Sequence, residues 1–144
     1  MSDVLVVSDS QVVRDEVRSA IVDHDLTVRD LTHGAEVLPS VQEAAPDLVV
    51  LDLQIGKMGG MATCMELRLE EGAGRLAHVP VLMLLDRRAD VFLAARAGVQ
   101  GWVVKPLDPL RLRRAVRRLI GGDTYHDDTF KPVTVGVPEP SPGG

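Results

Sequence analysis

The sequence predicts a three-layer α/β sandwich: a parallel five-stranded sheet with helices packed on both faces. Three features point there. Short Val/Leu/Met runs alternate with stretches of helical period from Val4 to Ile120. The runs are apolar throughout, not at every second residue, as in strands buried on both faces. Hydrophobic residues make up 45% of the 144 positions but aromatics only 3%, so the core must be aliphatic.

The elements follow in order. Residues 4–7 are an apolar run ending in Ser8-Asp9-Ser10. Val12, Val13, Val17, Ile21 and Val22 then recur near helical spacing among Arg14, Asp15, Glu16 and Arg18, the mark of an amphipathic first helix. Leu26-Thr27-Val28 reads as a short second strand. Residues 35–45 read as a second helix whose first turn Pro39 delays or kinks. Residues 48–51 are the strongest buried-strand signal, and Asp52 follows them. Gly56, Gly59 and Gly60 punctuate the next loop; Met61, Cys64, Met65, Leu67 and Leu69 mark a third helix that ends at Gly72-Ala73-Gly74. Residues 81–85, entered through Pro80, form strand four. A helix over 89–97 is closed by Gly98. Residues 102–104 form strand five, which ends in Lys105-Pro106. Pro109 opens the last helix, a position proline tolerates, and Leu110, Leu112, Val116, Leu119 and Ile120 give it an apolar side. The domain is therefore expected over residues 1–121. Residues 122–144 carry Gly, Pro and Ser without helical period and read as a flexible tail, with 133–137 as a candidate edge strand.

Composition narrows the function. A net charge of −5 lacks the basic excess of a nucleic-acid binder. The single Cys64 allows no intrachain disulfide, which fits a reducing compartment. The N-terminus has no basic region, and its apolar run is too short for a signal peptide or a membrane span. The expectation is a cytoplasmic protein without direct nucleic-acid or membrane contact.

Sites in open parallel sheets form at the carboxyl ends of the strands. Those ends carry Ser8 and Asp9, Asp52, Leu85 and Asp86, and Lys105. The carboxylates of Asp9 and Asp52 and the Lys105 ammonium thus converge from distant stretches of chain. Such a cluster suits Mg²⁺, which takes one or two carboxylates, carbonyls and waters. Asp52 can act as a nucleophile toward phosphorus, with Lys105 stabilising negative charge on the phosphoryl oxygens.

The stretches VLVVSDS, PDLVVLDLQIGKMGG, VPVLMLLD and AGVQGWVVKPL, in that order, resemble the receiver domains of bacterial two-component response regulators. The resemblance implies a flavodoxin-like (βα)5 fold with strand order 2-1-3-4-5. It implies that Asp52 is the phosphoacceptor, and that Asp9, Asp52 and the main-chain carbonyl of Gln54 hold Mg²⁺. Lys105 would bind the phosphoryl group. The partners it implies are a histidine kinase or phosphotransfer protein and a downstream protein, with a homodimer through the helix-four, strand-five, helix-five face as an option. No DNA-binding pattern follows residue 121, so output is expected from the receiver surface, the tail or a partner.

Three departures mark the chain as an atypical receiver. Ser8 stands in the acidic pair where receivers carry an acid. The lost charge is worth on the order of 4 kcal/mol at ~4 Å and an effective dielectric of ~20, before screening, so Mg²⁺ should bind weakly. Leu85 stands where receivers carry a Thr or Ser hydroxyl, removing a hydrogen bond worth ~1.5–3 kcal/mol. The segment from Leu85 to Gly98 is short for a receiver, and Trp102 replaces the usual Tyr or Phe, so coupling between positions 85 and 102 cannot run in the usual way.

Each residue also has a plainer reading. Asp52 could end a strand, Asp9 could cap the first helix in competition with Ser10, and Lys105 could be an exposed charge. Asp86 could replace the lost acid or hydroxyl by carrying a water, but reads first as a loop or capping residue. Trp102 should pack against helix four, and Cys64 should be core. The arginines of the last helix could be a solvated face or could pair with an acidic partner or a second subunit. His126-Asp127-Asp128 is a weak metal candidate. At the level of function, the alternatives to a phosphorylated receiver are a phosphorylation-independent pseudo-receiver and a small phosphatase that uses Asp52. The sequence offers no general base for the latter, so it is not read as an enzyme.

Overall fold

A computed structural model of the chain describes residues 1–56 and 58–128. Strand β1 (Ser2–Val7) leads into α1 (Gln11–Ile21), then β2 (Leu26–Leu31), α2 (Val37–Glu43), β3 (Leu48–Asp52), α3 (Gly60–Gly72), β4 (Val81–Leu85), α4 (Val91–Arg96), β5 (Gly101–Val104), α5 (Pro109–Ile120) and β6 (Tyr125–His126). The sheet runs β2-β1-β3-β4-β5-β6 and every neighbouring pair is parallel. The predicted order 2-1-3-4-5 is present, extended by a sixth strand.

Alternate residues of the strands feed two cores. Leu5, Val7, Val49, Leu51, Met83, Leu85 and Trp102 face α2, α3 and α4. Val4, Val6, Val50, Leu82, Leu84 and Val103 face α1 and α5. Both faces of β3 and β4 are buried, which is why these strands show no polar alternation.

Local chemistry sets the helix ends. Ser10 caps α1, its Oγ accepting from the Val13 N–H, which leaves Asp9 free for other work. Pro39 lies in the first turn of α2, where its missing N–H costs no helical bond; a single 3-10 turn (Gly34–Glu36) precedes it. Asp108 caps α5 through the Leu110 and Arg111 N–H groups, with Pro109 as its first residue. The fourth helix is shorter than the expected 89–97: a 3-10 turn (Arg88–Asp90) takes its start.

The largest departure from expectation lies after α5. The chain past residue 121 was read as a tail, yet Tyr125–His126 pairs with Gly101–Trp102. Two polar residues carry no strand period; tertiary contacts, described below, hold them. The candidate edge strand at 133–137 lies outside the described residues.

Candidate functional site

Asp52 is the last residue of β3 and is 2% exposed. It sits at the carboxyl edge because β3 is a central strand flanked by β1 and β4. Helix α3 starts directly over it: a Cβ on Gly60 would lie 2.6 Å from the Asp52 carbonyl oxygen, so only glycine permits that approach.

Both carboxylate oxygens of Asp52 are engaged. The Lys105 ammonium, just past β5, donates to Oδ1 at 2.9 Å, and the Gln54 N–H donates to the same oxygen at 3.2 Å. The Ser8 hydroxyl, fully buried, donates to Oδ2 at 2.8 Å. Ser8 is itself pinned, its Oγ accepting from the Ser10 N–H and its carbonyl accepting from Arg14 Nη1 at 2.6 Å. The position lacking an acid therefore holds the carboxylate by a hydrogen bond.

Asp9 reaches the same rim by another route. It is exposed, and its Oδ2 accepts from the Gly56 N–H at 2.8 Å, on the loop that follows Asp52. Gln54 is exposed on that loop. The oxygen-only donors Asp9, Asp52 and the Gln54 carbonyl suit a hard cation that keeps several waters. A cation there would share the two Asp52 oxygens with the Ser8 hydroxyl and the Lys105 ammonium. Among the described residues no group of three or more His, Cys, Asp or Glu side chains is placed to hold a metal ion, and the His126-Asp127-Asp128 candidate forms no such site.

Asp86 was read as a loop or capping residue; instead it belongs to the site. Its Oδ1 lies 2.8 Å from Lys105 Nζ, so one ammonium bridges two carboxylates. Partial burial lowers the Lys105 pKa, but the hydrogen bonds and charges of Asp86 and Asp52 outweigh it and hold the ammonium above its ordinary value. The signal for Asp86 was its place at the carboxyl end of a strand.

Leu85 is fully buried and pairs with Val104 across β4 and β5. Trp102 is 9% exposed, belongs to the same core cluster as Ala94 and Ala97, and stacks on His126 with ring centroids 4.2 Å apart and planes 8° from parallel. Its indole N–H is buried and finds no acceptor among the described residues. Cys64 is core, its thiol donating to the Ala97 carbonyl. Three of the five arginines of α5 find acids within the chain: Arg111 with Asp127, Arg117 with Asp23 and Arg118 with Asp123. A groove of about 430 Å³ between α1 and α5, lined by Val12, Asp15, Glu16, Leu107, Pro109 and Leu112, opens where both helices leave the site. Val12 is 66% exposed there.

Comparison with known proteins gives a consistent picture. The response regulator receiver domain family matches residues 4–117. The chain is 26% identical over 130 residues to a nitrate/nitrite response regulator protein homolog of Haemophilus influenzae, covering 89% of this chain and 61% of that protein. It is 31% identical over 116 residues to the DNA-binding response regulator MtrA of Mycolicibacterium smegmatis, covering 79% of this chain and 48% of MtrA. The chain thus spans about half to three fifths of these curated relatives. Among solved structures, the chemotaxis protein CheY4 of Vibrio cholerae superposes with a TM-score of 0.72 at 27% identity, over 83% of this chain and 98% of that one. A LuxR-family response regulator from Aurantimonas superposes with a TM-score of 0.75 at 26% identity, over 87% and 89% of the two chains.

Proposed function

The chain belongs to the response regulator receiver domain family, and from that premise we propose that it accepts a phosphoryl group on Asp52 and signals by binding a partner protein. The observation that carries this reading is the buried Asp52 carboxylate held between the Lys105 ammonium and the Ser8 hydroxyl.

The chemistry is a transfer between nucleophiles. A carboxylate oxygen of Asp52 forms a bond to phosphorus while the bond from phosphorus to the donor breaks; the donor nitrogen of a phosphohistidine keeps the electron pair, and the ring, protonated on its other nitrogen, leaves as neutral imidazole. Lys105 stands where charge builds on the phosphoryl oxygens, and its raised pKa keeps it protonated for that task. Asp9, Asp52 and the Gln54 carbonyl would hold Mg²⁺, which supplies further positive charge at those oxygens. The donor would be a histidine kinase or phosphotransfer protein, and the apolar groove beside the site offers it a surface in which Val12 stands proud. This places the protein in a phosphorelay, working as a signalling module and not as an enzyme with turnover. Among the described residues no helix is long and apolar enough to cross a membrane. DNA binding is named for MtrA; for this chain the acidic charge favours protein partners.

Incubation with acetyl phosphate and Mg²⁺, followed by intact mass, is the test. Wild type is expected to gain the mass of one phosphoryl group and Asp52→Asn none; a wild type that stays unmodified sinks the proposal.

A second reading is a pseudo-receiver that binds partners without phosphorylation. It is favoured by two observations: Ser8 replaces an acid with a neutral hydroxyl on Asp52, and Leu85 fills the hydroxyl position with a buried aliphatic group. Titration with Mg²⁺ separates the two. A saturable response lost in Asp9→Ala speaks for the phosphorylated receiver, and the lack of any response for the pseudo-receiver.

A further inference from the structure

The edge of β5 is covered by the chain's own residues 125–127. The Tyr125 N–H donates to the Gln100 carbonyl at 3.2 Å, and the Asp127 N–H to the Trp102 carbonyl at 3.3 Å. Asp127 is 2% exposed and anchors the segment. Its Oδ2 accepts from the Val104 N–H at 2.9 Å, its Oδ1 lies 3.7 Å from Arg111 Nε, and its carbonyl accepts from Arg88 at 2.7 Å. His126 lies flat on Trp102. Position 101 is shaped for this segment: a Cβ there would sit 2.7 Å from the Tyr125 carbonyl oxygen. The edge thus reads main chain by hydrogen bonds, one of them from Arg88, a flat ring by Trp102, and a carboxylate by the Val104 N–H and the Arg111 guanidinium.

The anchor adjoins the phosphoacceptor site at two points. Val104, which holds Asp127, immediately precedes Lys105. Arg88, which holds the Asp127 carbonyl, lies two residues after Asp86, and Asp86 shares Lys105 with Asp52. A phosphoryl group on Asp52 would compete for Lys105 and repel the Asp86 carboxylate, pulling on the segment that carries Arg88. Leu85 and Trp102 lack the hydroxyls for a switch based on them, whereas this route needs neither.

We propose that the β5 edge is a strand-addition surface for an extended segment of a partner protein bearing a flat side chain followed by a carboxylate. Residues 125–127 occupy it in cis, and phosphorylation of Asp52 loosens them. The last step rests on the phosphoacceptor reading above; the surface does not. A partner competes with the tethered segment, whose effective concentration is on the order of millimolar, so loosening the tether admits it.

Trp102 is the only tryptophan, so its fluorescence in the full chain reports the edge. Asp127→Ala removes the anchor and Gly101→Ala displaces the segment sterically; both are expected to red-shift Trp102 emission and raise its quenching by acrylamide while cooperative thermal unfolding persists. A synthetic peptide of residues 123–128 is expected to reverse both changes saturably in Asp127→Ala, with a scrambled peptide inert and wild type unresponsive. Wild-type emission in both variants, or no reversal by the peptide, overturns the surface. In parallel, acetyl phosphate with Mg²⁺ is expected to raise Trp102 quenching in the wild type. A phosphoryl adduct by mass with quenching unchanged overturns the coupling and leaves the Asp52 reading standing. Absence of the adduct overturns that reading and the coupling with it, and the peptide result still decides the surface.

Discussion

Ser8 shows how one substitution changes the working of a site while its geometry persists. An acid at this position would crowd Asp52 with like charge until a cation arrived. The hydroxyl instead donates to Asp52 Oδ2, so the buried carboxylate is satisfied without metal. Ser8→Ala removes that donor and is expected to cost about 1–3 kcal/mol of stability by denaturant unfolding. Ser8→Asp sets a second carboxylate against Asp52. The apo variant should melt below wild type, and Mg²⁺ should raise its Tm far more than it raises that of wild type, since ligand binding to the folded state adds stability by mass action. Equal Mg²⁺ effects on the two proteins would show that position 8 takes no part in holding the ion.

Between elements, the carboxyl edge holds the candidate site, while the opposite edge is held by one ion network. Arg68 of α3 donates to the Gly98 and Val79 carbonyls, to Gln100 and to Glu71, tying α3 to the approaches of β4 and β5. Burial raises the Glu71 pKa, but the Val79 N–H, His78 and Arg68 outweigh it and hold the group below its ordinary 4.5. With the folded value depressed, Glu71 contributes stability fully above the ordinary value, and the contribution fades as pH falls through the folded one. Glu71→Gln should therefore destabilise the protein at neutral pH, by about 1–3 kcal/mol, and show a flatter acid limb below about pH 4.5 when Tm is followed against pH. Parallel curves for the two proteins would refute the assignment.

Across the molecule, stability should follow depth in the sheet. β1, β3 and β4 lie between other strands and under helices on both faces, whereas β2 and the two-residue β6 are edges. Native-state amide exchange should be slowest in β3 and β4 and fastest in β6, because short edge pairings open without global unfolding. Exchange from β6 as slow as from β3 would mean that the segment belongs to the cooperative core. A homodimer through the face of α4, β5 and α5 would meet this segment first, since the edge of β5 is occupied.

Much of this was legible in the residues alone. Strand runs such as 48–51 and 81–85 announce themselves because a strand buried on both faces must be apolar at every position. Their carboxyl ends then name Ser8, Asp52 and Lys105 by topology. What the sequence could not decide were the pairings that depend on where side chains come to rest. Ser8 could be read as a lost charge but not as a donor to Asp52, and Asp86 as a loop or capping residue but not as a partner of Lys105. Residues 125–127 have no period at all, and they are ordered by Gly101, Val104, Arg88 and Arg111, contacts separated by as many as 39 positions. Periodicity is a property of local chain and survives in the sequence; a hydrogen bond between distant residues exists only once the fold has brought its two ends together.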